Sequence, residues 1–300
     1  MYKMKQYIIS IDLGGTTFSS YLIDKDLNIC NRSLIDKIKN YSNASDLMDG
    51  IEKQILGLIN DVGITLNDVK CMGVSAPGPL DSESGTILKT PNLVILQNTK
   101  IVQLLNNKFS IPVYLENDAN LFALGEWFNH YKNSKIVIGI TLGTGLGLGV
   151  IINGKLFTGA NGMGAEYGIS PYKLGVWEDV ISIDGLEILM KKKQMNKISP
   201  KHLSELALND DSDAIQIWNE FGDHLGIFTS HILNLLDPSV VIFGGGISGA
   251  YKYFSSSLIK QLKVFSPTYS YNNTLITFSE SQLDSSHLGA ALYALEKESK

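Results

Sequence analysis

Residues Ile8–Thr16 read IISIDLGGT, and residues Val137–Gly145 read VIGITLGTG. Each is a run of strand-forming apolar residues ended by a glycine-rich turn. The two stretches match at a constant offset of 129 residues, from Ile8 to Val137. Carried on, that offset lays Tyr21-Leu22-Ile23-Asp24-Lys25 over Val150-Ile151-Ile152-Asn153-Gly154. Both copies therefore read strand, glycine-rich turn, strand, tight turn, strand, and Asn153-Gly154 is a strong hairpin signal. Glycine-punctuated strand pairs can look alike by chance. The sharper reading is a duplicated domain whose two halves face each other across a cleft.

The rest of the chain supplies the elements such halves need. Strands are expected at Tyr7–Leu13, at about Phe18–Ile23, and again after the Asp24-Lys25-Asp26 turn. Leu47, Met48, Ile51, Ile55, Leu58, Ile59 and Val62 recur at helical spacing, with Gly63 placed to stop the helix. A strand over Lys70–Ser75 runs into the rigid loop Ala76-Pro77-Gly78-Pro79, and a second proline-marked turn lies at Thr90-Pro91-Asn92. The run VYLEN (113–117) feeds directly into a helix starting near Asp118, with Leu121, Leu124, Phe128 and Tyr131 as its apolar face. Later come a long helix at about Ala214–Leu236, a strand at Val240–Phe243 that leads into Gly244-Gly245-Gly246, and a last helix at about Ser286–Glu298.

Composition excludes several classes of function. With 25 Lys+Arg against 30 Asp+Glu the net charge is −5, which argues against nucleic acid or an anionic membrane as the main partner. The 300 residues, 44% of them hydrophobic, suffice for a sizeable core in two domains. Cys30 and Cys71 form no CxxC pair, so neither a disulfide scaffold nor a zinc ribbon is expected. The short apolar run at the N-terminus is broken by Asp12 and does not read as a signal peptide or membrane span, so a cytoplasmic protein is expected. No HExxH spacing occurs, and His224 and His231, two helical turns apart, are read as packing or surface residues.

Three glycine-rich turns are candidate phosphate sites: Asp12-Leu13-Gly14-Gly15-Thr16, Gly143-Thr144-Gly145 and Gly244-Gly245-Gly246. Glycine lets backbone N–H groups approach a phosphate closely, threonine adds a hydroxyl donor, and an aspartate nearby can hold a hydrated Mg²⁺. No GxxxxGK[ST] is present, so a P-loop is excluded. The run GTGLGLG is followed by VIINGKLF, a strand and hairpin where a dinucleotide fold needs a helix, and this disfavours an NAD-dependent oxidoreductase.

The segments IDLGGTT, GVSAPGPLDSESG, KTPNL, LENDANLFALGEW, ITLGTGLGLGVIINGKLFTG, GAEYG, LLDPSVVIFGGGIS and HLGAALYAL together resemble the ROK family of sugar kinases and repressors, within the actin–hexokinase–Hsp70 superfamily. The resemblance covers nearly the whole chain. It implies an α/β, two-lobed, actin-like ATPase (ribonuclease H-like) fold of duplicated βββαβα domains, with ATP and sugar between them. On that pattern, residues 1–116 with 285–300 would form one lobe and 117–284 the other. Asp12, Gly14, Gly15, Thr16, Thr17, Gly143, Thr144, Gly145, Gly245 and Gly246 would hold ATP, Asp12 through a hydrated Mg²⁺. Asp118 would be the base that takes the proton of a sugar hydroxyl, most simply the 6-hydroxyl. Read without the resemblance, Asp118 could equally be a helix N-cap. Gly78, Asn92, Asn117, Asp118, Glu166 and Glu178 would bind the sugar.

The match breaks in one segment. Many members of the family carry a histidine and three cysteines that bind zinc. Here Ile169 stands where the histidine belongs and Val176 where the last cysteine belongs, so no zinc is expected and the identity of the sugar is left open. Thr17, where many relatives have lysine, is a smaller departure. Only 11 residues precede Asp12, too few for the helix-turn-helix module of a sugar-responsive repressor. A catalytically silent sugar sensor is the remaining rival, weakened by the presence of Asp12, Asp118 and both phosphate turns. A homodimer is the expected state.

Overall fold

The structure is a computed structural model that describes residues 6–91 and 93–299. The chain divides into two units, one running to Asn129 and resuming at Leu283, the other spanning His130–Gln282.

In the first unit, β1 (Tyr7–Leu13), β2 (Thr17–Asp24), β3 (Ile29–Arg32), β4 (Val69–Ala76) and β5 (Val113–Asn117) form a sheet in the order β3-β2-β1-β4-β5. β1, β2 and β3 pair antiparallel, whereas β4 and β5 run parallel to β1. Helix α1 (Ala44–Val62) begins where the Asn43 side chain accepts a hydrogen bond from the Asp46 N–H, and ends at Gly63, whose φ of 74° suits glycine. Leu47, Met48, Ile51, Ile55, Leu58 and Ile59 face the core as their spacing requires, with Ile9, Ile11, Leu13, Val74 and Leu115 of the sheet. Val62 is exposed instead. α2 (Ile101–Phe109) and α3 (Asp118–His130) flank β5 in sequence. α3 is not amphipathic as expected: Ala119–Glu126 are all buried.

The second unit repeats the plan. β6 (Ile136–Leu142), β7 (Leu146–Ile152), β8 (Lys155–Leu156), β9 (Val240–Gly244) and β10 (Leu275–Phe278) take the order β8-β7-β6-β9-β10, with the same senses of pairing. β9 is buried throughout, as befits a strand with parallel neighbours on both sides. Around the sheet stand α4 (Ile183–Lys192), α5 (Pro200–Leu208), α6 (Ser212–Leu236), α7 (Tyr251–Phe265) and α8 (Pro267–Asn272). Asp211 caps α6 through the Ala214 N–H at 2.8 Å, and Asp237, at φ 45°, ends it before Pro238.

The duplication read from the sequence is therefore the architecture, with one slip of register. Leu13 pairs with Phe18 across the first turn, but Leu142 pairs with Leu146 across the second. The second turn is one residue shorter, so beyond it the true offset is 128: Leu22, opposite Ile9, corresponds to Val150, opposite Ile138.

The last helix, α9 (Gln282–Glu298), starts earlier than expected and returns to the first unit. Its Leu288, Ala291 and Ala294 cover Ile8, Tyr21, Ile23 and Cys71, the face of the first sheet opposite α1. It also crosses α3 so closely that a Cβ at Gly125 would collide with the Ser285 carbonyl, and one at Gly289 with that of Leu121. This crossing fixes α3 to the first unit and moves the boundaries. The division falls after Asn129 and after Gln282, not at 117 and 285 as expected. Among the described residues no helix is long and apolar enough to cross a membrane.

Candidate active site

In each sheet the candidate residues collect at the carboxyl ends of the parallel strands. In the first, the register places Asp12 beside Ser75, Ser75 beside Glu116, and Ala76 beside Asn117. Asp12 is half-buried, and desolvation holds its carboxyl above the ordinary carboxylate range, with the Ser75 hydroxyl offsetting part of the rise. The turn after it is closed by a hydrogen bond from the Gly14 N–H to the Thr17 carbonyl at 2.9 Å. Gly15 and Thr16 are exposed at its tip, while Thr17 is half-buried and opens β2.

β5 passes into α3 without a loop, so Asp118 is the first residue of the helix. The cap is Asn117: its Oδ1 accepts from the Ala119 N–H at 2.9 Å and from that of Asn120 at 3.3 Å. Asp118 accepts the same Ala119 N–H at 2.8 Å on one oxygen and is half-buried. The capping duty thus falls mainly on its neighbour. Asp118 stands in the positive field of a helix N-terminus, which favours its ionised, proton-accepting form. Gly78 lies in the loop after β4, half-buried and joined to Pro79 by a cis peptide bond. Asn92 lies outside the described residues.

In the second sheet, the Gly143–Gly145 turn ends β6 and the triple glycine ends β9, and the register pairs Gly244 with Thr141. The Gly143 N–H donates to the Gly145 carbonyl at 3.0 Å. Gly245 has φ 89°, and a Cβ there would collide with the Leu142 backbone, so only glycine fits. Its N–H donates to the Gln282 side chain, and its carbonyl accepts from the Ser248 hydroxyl at 2.8 Å. Gly143 and Gly246 have open space where a Cβ would stand. Backbone amides at both turns can thus be approached closely, which fits a polyphosphate.

Glu166 and Glu178 come from the segment after β8. Glu178 sits in the short 3₁₀ turn Trp177–Asp179, and its Oε2 accepts from the Leu146 N–H at 2.8 Å. The Ile183 N–H binds the Gly143 carbonyl at 2.9 Å, so this segment grips both ends of the second turn. Glu166 is exposed at its outer side, yet its carboxyl is held above the usual range, first by lost hydration and then by the Glu178 charge.

That segment is pinned to α6 by histidines. The Tyr167 hydroxyl meets Nδ1 of His231 at 2.8 Å, and the Tyr172 hydroxyl meets Nδ1 of His224 at 3.0 Å. Trp177 stacks on Tyr172 with ring centroids 3.6 Å apart, and its edges meet Phe228 and His231. Lys173 donates to Nε2 of His224 at 3.4 Å, so the proton of that neutral ring belongs on Nδ1, facing Tyr172. Burial first, and then the Lys173 charge, pull the pKa of His224 below the ordinary imidazole value. The spacing of His224 and His231 pointed to one helix face; what they hold only the folded chain reveals. Ile169 is 61% exposed at the end of the turn Tyr167–Ile169, and Val176 lies in a two-residue strand paired with Pro171–Tyr172. Among the described residues no three His, Cys, Asp or Glu side chains are grouped so as to hold a metal ion.

The profile of the ROK family matches residues 8–297. The chain belongs to the ROK family. It is 31% identical over 271 residues to a glucokinase of Thermotoga maritima, covering 82% of this chain and 84% of that one. It is 28% identical over 287 residues to a xylose repressor of Caldicellulosiruptor bescii, covering 85% of this chain and 69% of that one. Among solved structures, it superposes with a TM-score of 0.79 on a ROK family glucokinase from Streptomyces griseus in complex with glucose and AMPPNP. The identity there is 26%, with 97% of this chain and 99% of that one covered. The fold of this ROK family chain is accordingly the actin-like ATPase fold, as the family resemblance implied. Sequence reasoning missed Glu116, Ser75, Gln282 and the pair Tyr167–His231. Glu116 alone carried a local signal, its place directly before Asn117-Asp118.

Proposed function

We infer that this ROK family chain is an ATP-dependent sugar kinase, and we propose that it phosphorylates a hydroxyl of a hexose or hexose derivative, most simply the 6-hydroxyl. The observation that carries this reading is Asp118. It is a half-buried carboxylate at the N-terminus of a helix that springs directly from the end of a parallel strand, with Asn117 taking the capping bonds. A sugar hydroxyl is a poor nucleophile. A carboxylate within hydrogen-bond reach orients it and takes its proton as the new O–P bond forms and the γ-phosphorus parts from the bridging oxygen, which leaves with ADP. In this proposal Gly14, Gly15, Thr16 and Thr17, and Gly143, Thr144 and Gly145, hold the phosphates, while Gly245 and Gly246 line the adenosine. Asp12 would hold Mg²⁺ through water, and the ion supplies positive charge to the phosphate oxygens. The position of Asp12, half-buried with its carboxyl held up by desolvation, suits a nearby cation.

Asn117, Glu166 and Glu178 would accept sugar hydroxyls, with Gly78 and Asn92 beside them. One oxygen of Glu178 is already engaged by Leu146, which leaves the other for the sugar. Ile169 offers no hydrogen bond where zinc-bearing relatives offer an imidazole. Recognition near C1 and C2 should therefore be looser by roughly ten- to a hundredfold, the worth of one lost partner. A homodimer in the cytoplasm, without bound zinc, completes the proposal. Asp12, Asp118 and both glycine turns disfavour a silent sensor.

The test is ADP release across glucose, mannose, 2-deoxyglucose, N-acetylmannosamine and methyl β-glucoside. Several should be turned over, and Glu166→Gln and Glu178→Gln should each raise KM. A preference for one sugar more than about a thousandfold above the others would mean that another group does the work of the missing imidazole.

A further inference from the structure

We propose that Glu116 is a positioning residue for Asp118, a role that rests on the reading of Asp118 as the base. Glu116 is the last residue but one of β5, two residues before Asp118, and is 2% exposed. A carboxyl group so deeply buried requires partners. Its Oε1 accepts from the Asn117 backbone N–H at 2.8 Å and from Nδ2 of Asn120 at 3.0 Å. Its Oε2 accepts from the Ser82 hydroxyl at 3.2 Å. Tyr293 of α9 stands near enough to feel the same group: burial first, then the Glu116 charge, drive its phenol pKa far up.

All three donors are neutral, so Glu116 acts as an acceptor hub and not as half of an ion pair. The partners come from different parts of the first unit. Asn117 and Asn120 belong to the strand–helix junction, and Ser82 to the loop that follows Gly78. The peptide N–H that Glu116 holds is that of Asn117, and Asn117 in turn accepts the first free N–H groups of α3. The direction in which Asp118 leaves the helix is thus set through Glu116. A displacement of about 1 Å at a reacting group can cost about a hundredfold in rate. Glutamine keeps the shape of the side chain but carries no charge: its oxygen can still accept from Asn117 and Asn120 and its NH₂ can turn to the Ser82 hydroxyl, so what is lost is the strength that a charged acceptor gives the two bonds at the junction.

The experiment is steady-state kinetics on Glu116→Gln, Asp118→Asn and the double variant, with ATP and whichever sugar of the panel above the wild type turns over fastest. Glu116→Gln should lower kcat by roughly ten- to a hundredfold and leave KM for MgATP within about twofold. Because its effect runs through Asp118, the double variant should be no slower than Asp118→Asn alone. A normal rate in Asp118→Asn would overturn the base assignment. A slow Asp118→Asn with a normal Glu116→Gln, or losses that multiply in the double variant, would overturn the role of Glu116 and leave the base assignment standing. If circular dichroism shows that Glu116→Gln is unfolded, Ser82→Ala decides the matter, since it removes only the hydroxyl that donates to Oε2 of Glu116. It should lower kcat by about two- to fivefold without moving KM for MgATP and without effect in the Asp118→Asn background, and an unchanged kcat refutes the proposal.

Discussion

Replacing His287 with glutamine should flatten the loss of stability that acid brings. The ring is fully buried between β1, β2 and α9. The Ser10 hydroxyl meets its Nδ1 at 2.7 Å, the Ser19 hydroxyl meets its Nε2 at 3.0 Å, and Tyr21 stacks on it at 3.6 Å. Neutral imidazole offers one donor and one acceptor, and the two hydroxyls satisfy both. Burial pushes the pKa from 6.5 down to about 3. The unfolded chain therefore binds a proton below pH 6.5 that the folded chain refuses until near pH 3. Stability from this source is complete above the unfolded pKa and is lost as pH falls toward the folded one. At about 1.36 kcal/mol per pH unit the full loss is roughly 5 kcal/mol, and the part between pH 7.5 and 5.0 is roughly 2 kcal/mol. Urea unfolding followed by circular dichroism at those two pH values gives both slopes. The wild type should lose about 2 kcal/mol more than His287→Gln over that interval. Asp12, whose raised pKa works in the opposite direction, is common to both proteins and cancels in the difference. Parallel losses would refute the account of a buried neutral ring.

Tyr167→Phe deletes the hydroxyl that ties the Glu166 turn to His231, and the loss of one hydrogen bond of about 1 kcal/mol should raise KM for the sugar severalfold with kcat nearly unchanged. Asp12 should take up its proton at a higher pH than an ordinary carboxylate, so KM for MgATP should rise on acidification while unshifted carboxylates are still ionised, and titration of KM against pH reads this directly. Zinc chelation should leave activity intact while removal of Mg²⁺ abolishes it, and elemental analysis should find no stoichiometric zinc.

The repeated IISIDLGGT and VIGITLGTG revealed the architecture because strand alternation and glycine punctuation are local properties of the chain. The slip of register past the second turn was invisible, since turn length is set by which residues pair across it, and Leu142 with Leu146 is a fact of the folded sheet. Membership of α3 in the first unit was hidden for a related reason. It depends on Gly125 meeting the Ser285 carbonyl, a contact between residues far apart in sequence. At the site, the glycine turns stood out as candidate phosphate sites by composition and spacing, whereas Asp118 was singled out only through the family resemblance. Of Glu116 only its place before Asn117-Asp118 was visible, because its partner Ser82 is brought to it by the tertiary fold. The pinning of the Glu166–Glu178 segment by His224 and His231 belongs to the same class: the sequence shows two histidines on one helix face but not the tyrosines that meet them.

The central claim is that Asp118 transfers the proton of a sugar hydroxyl during phosphoryl transfer from ATP. Its most direct test is sugar-dependent ADP release by the wild type and by Asp118→Asn, with sugar phosphate measured in the same samples. The account predicts ADP and sugar phosphate in equal amounts from the wild type, and a kcat lower by roughly 10²–10⁴-fold in a variant that still folds. Near-normal turnover in Asp118→Asn, or no sugar phosphate from the wild type with any sugar of the panel, would contradict it.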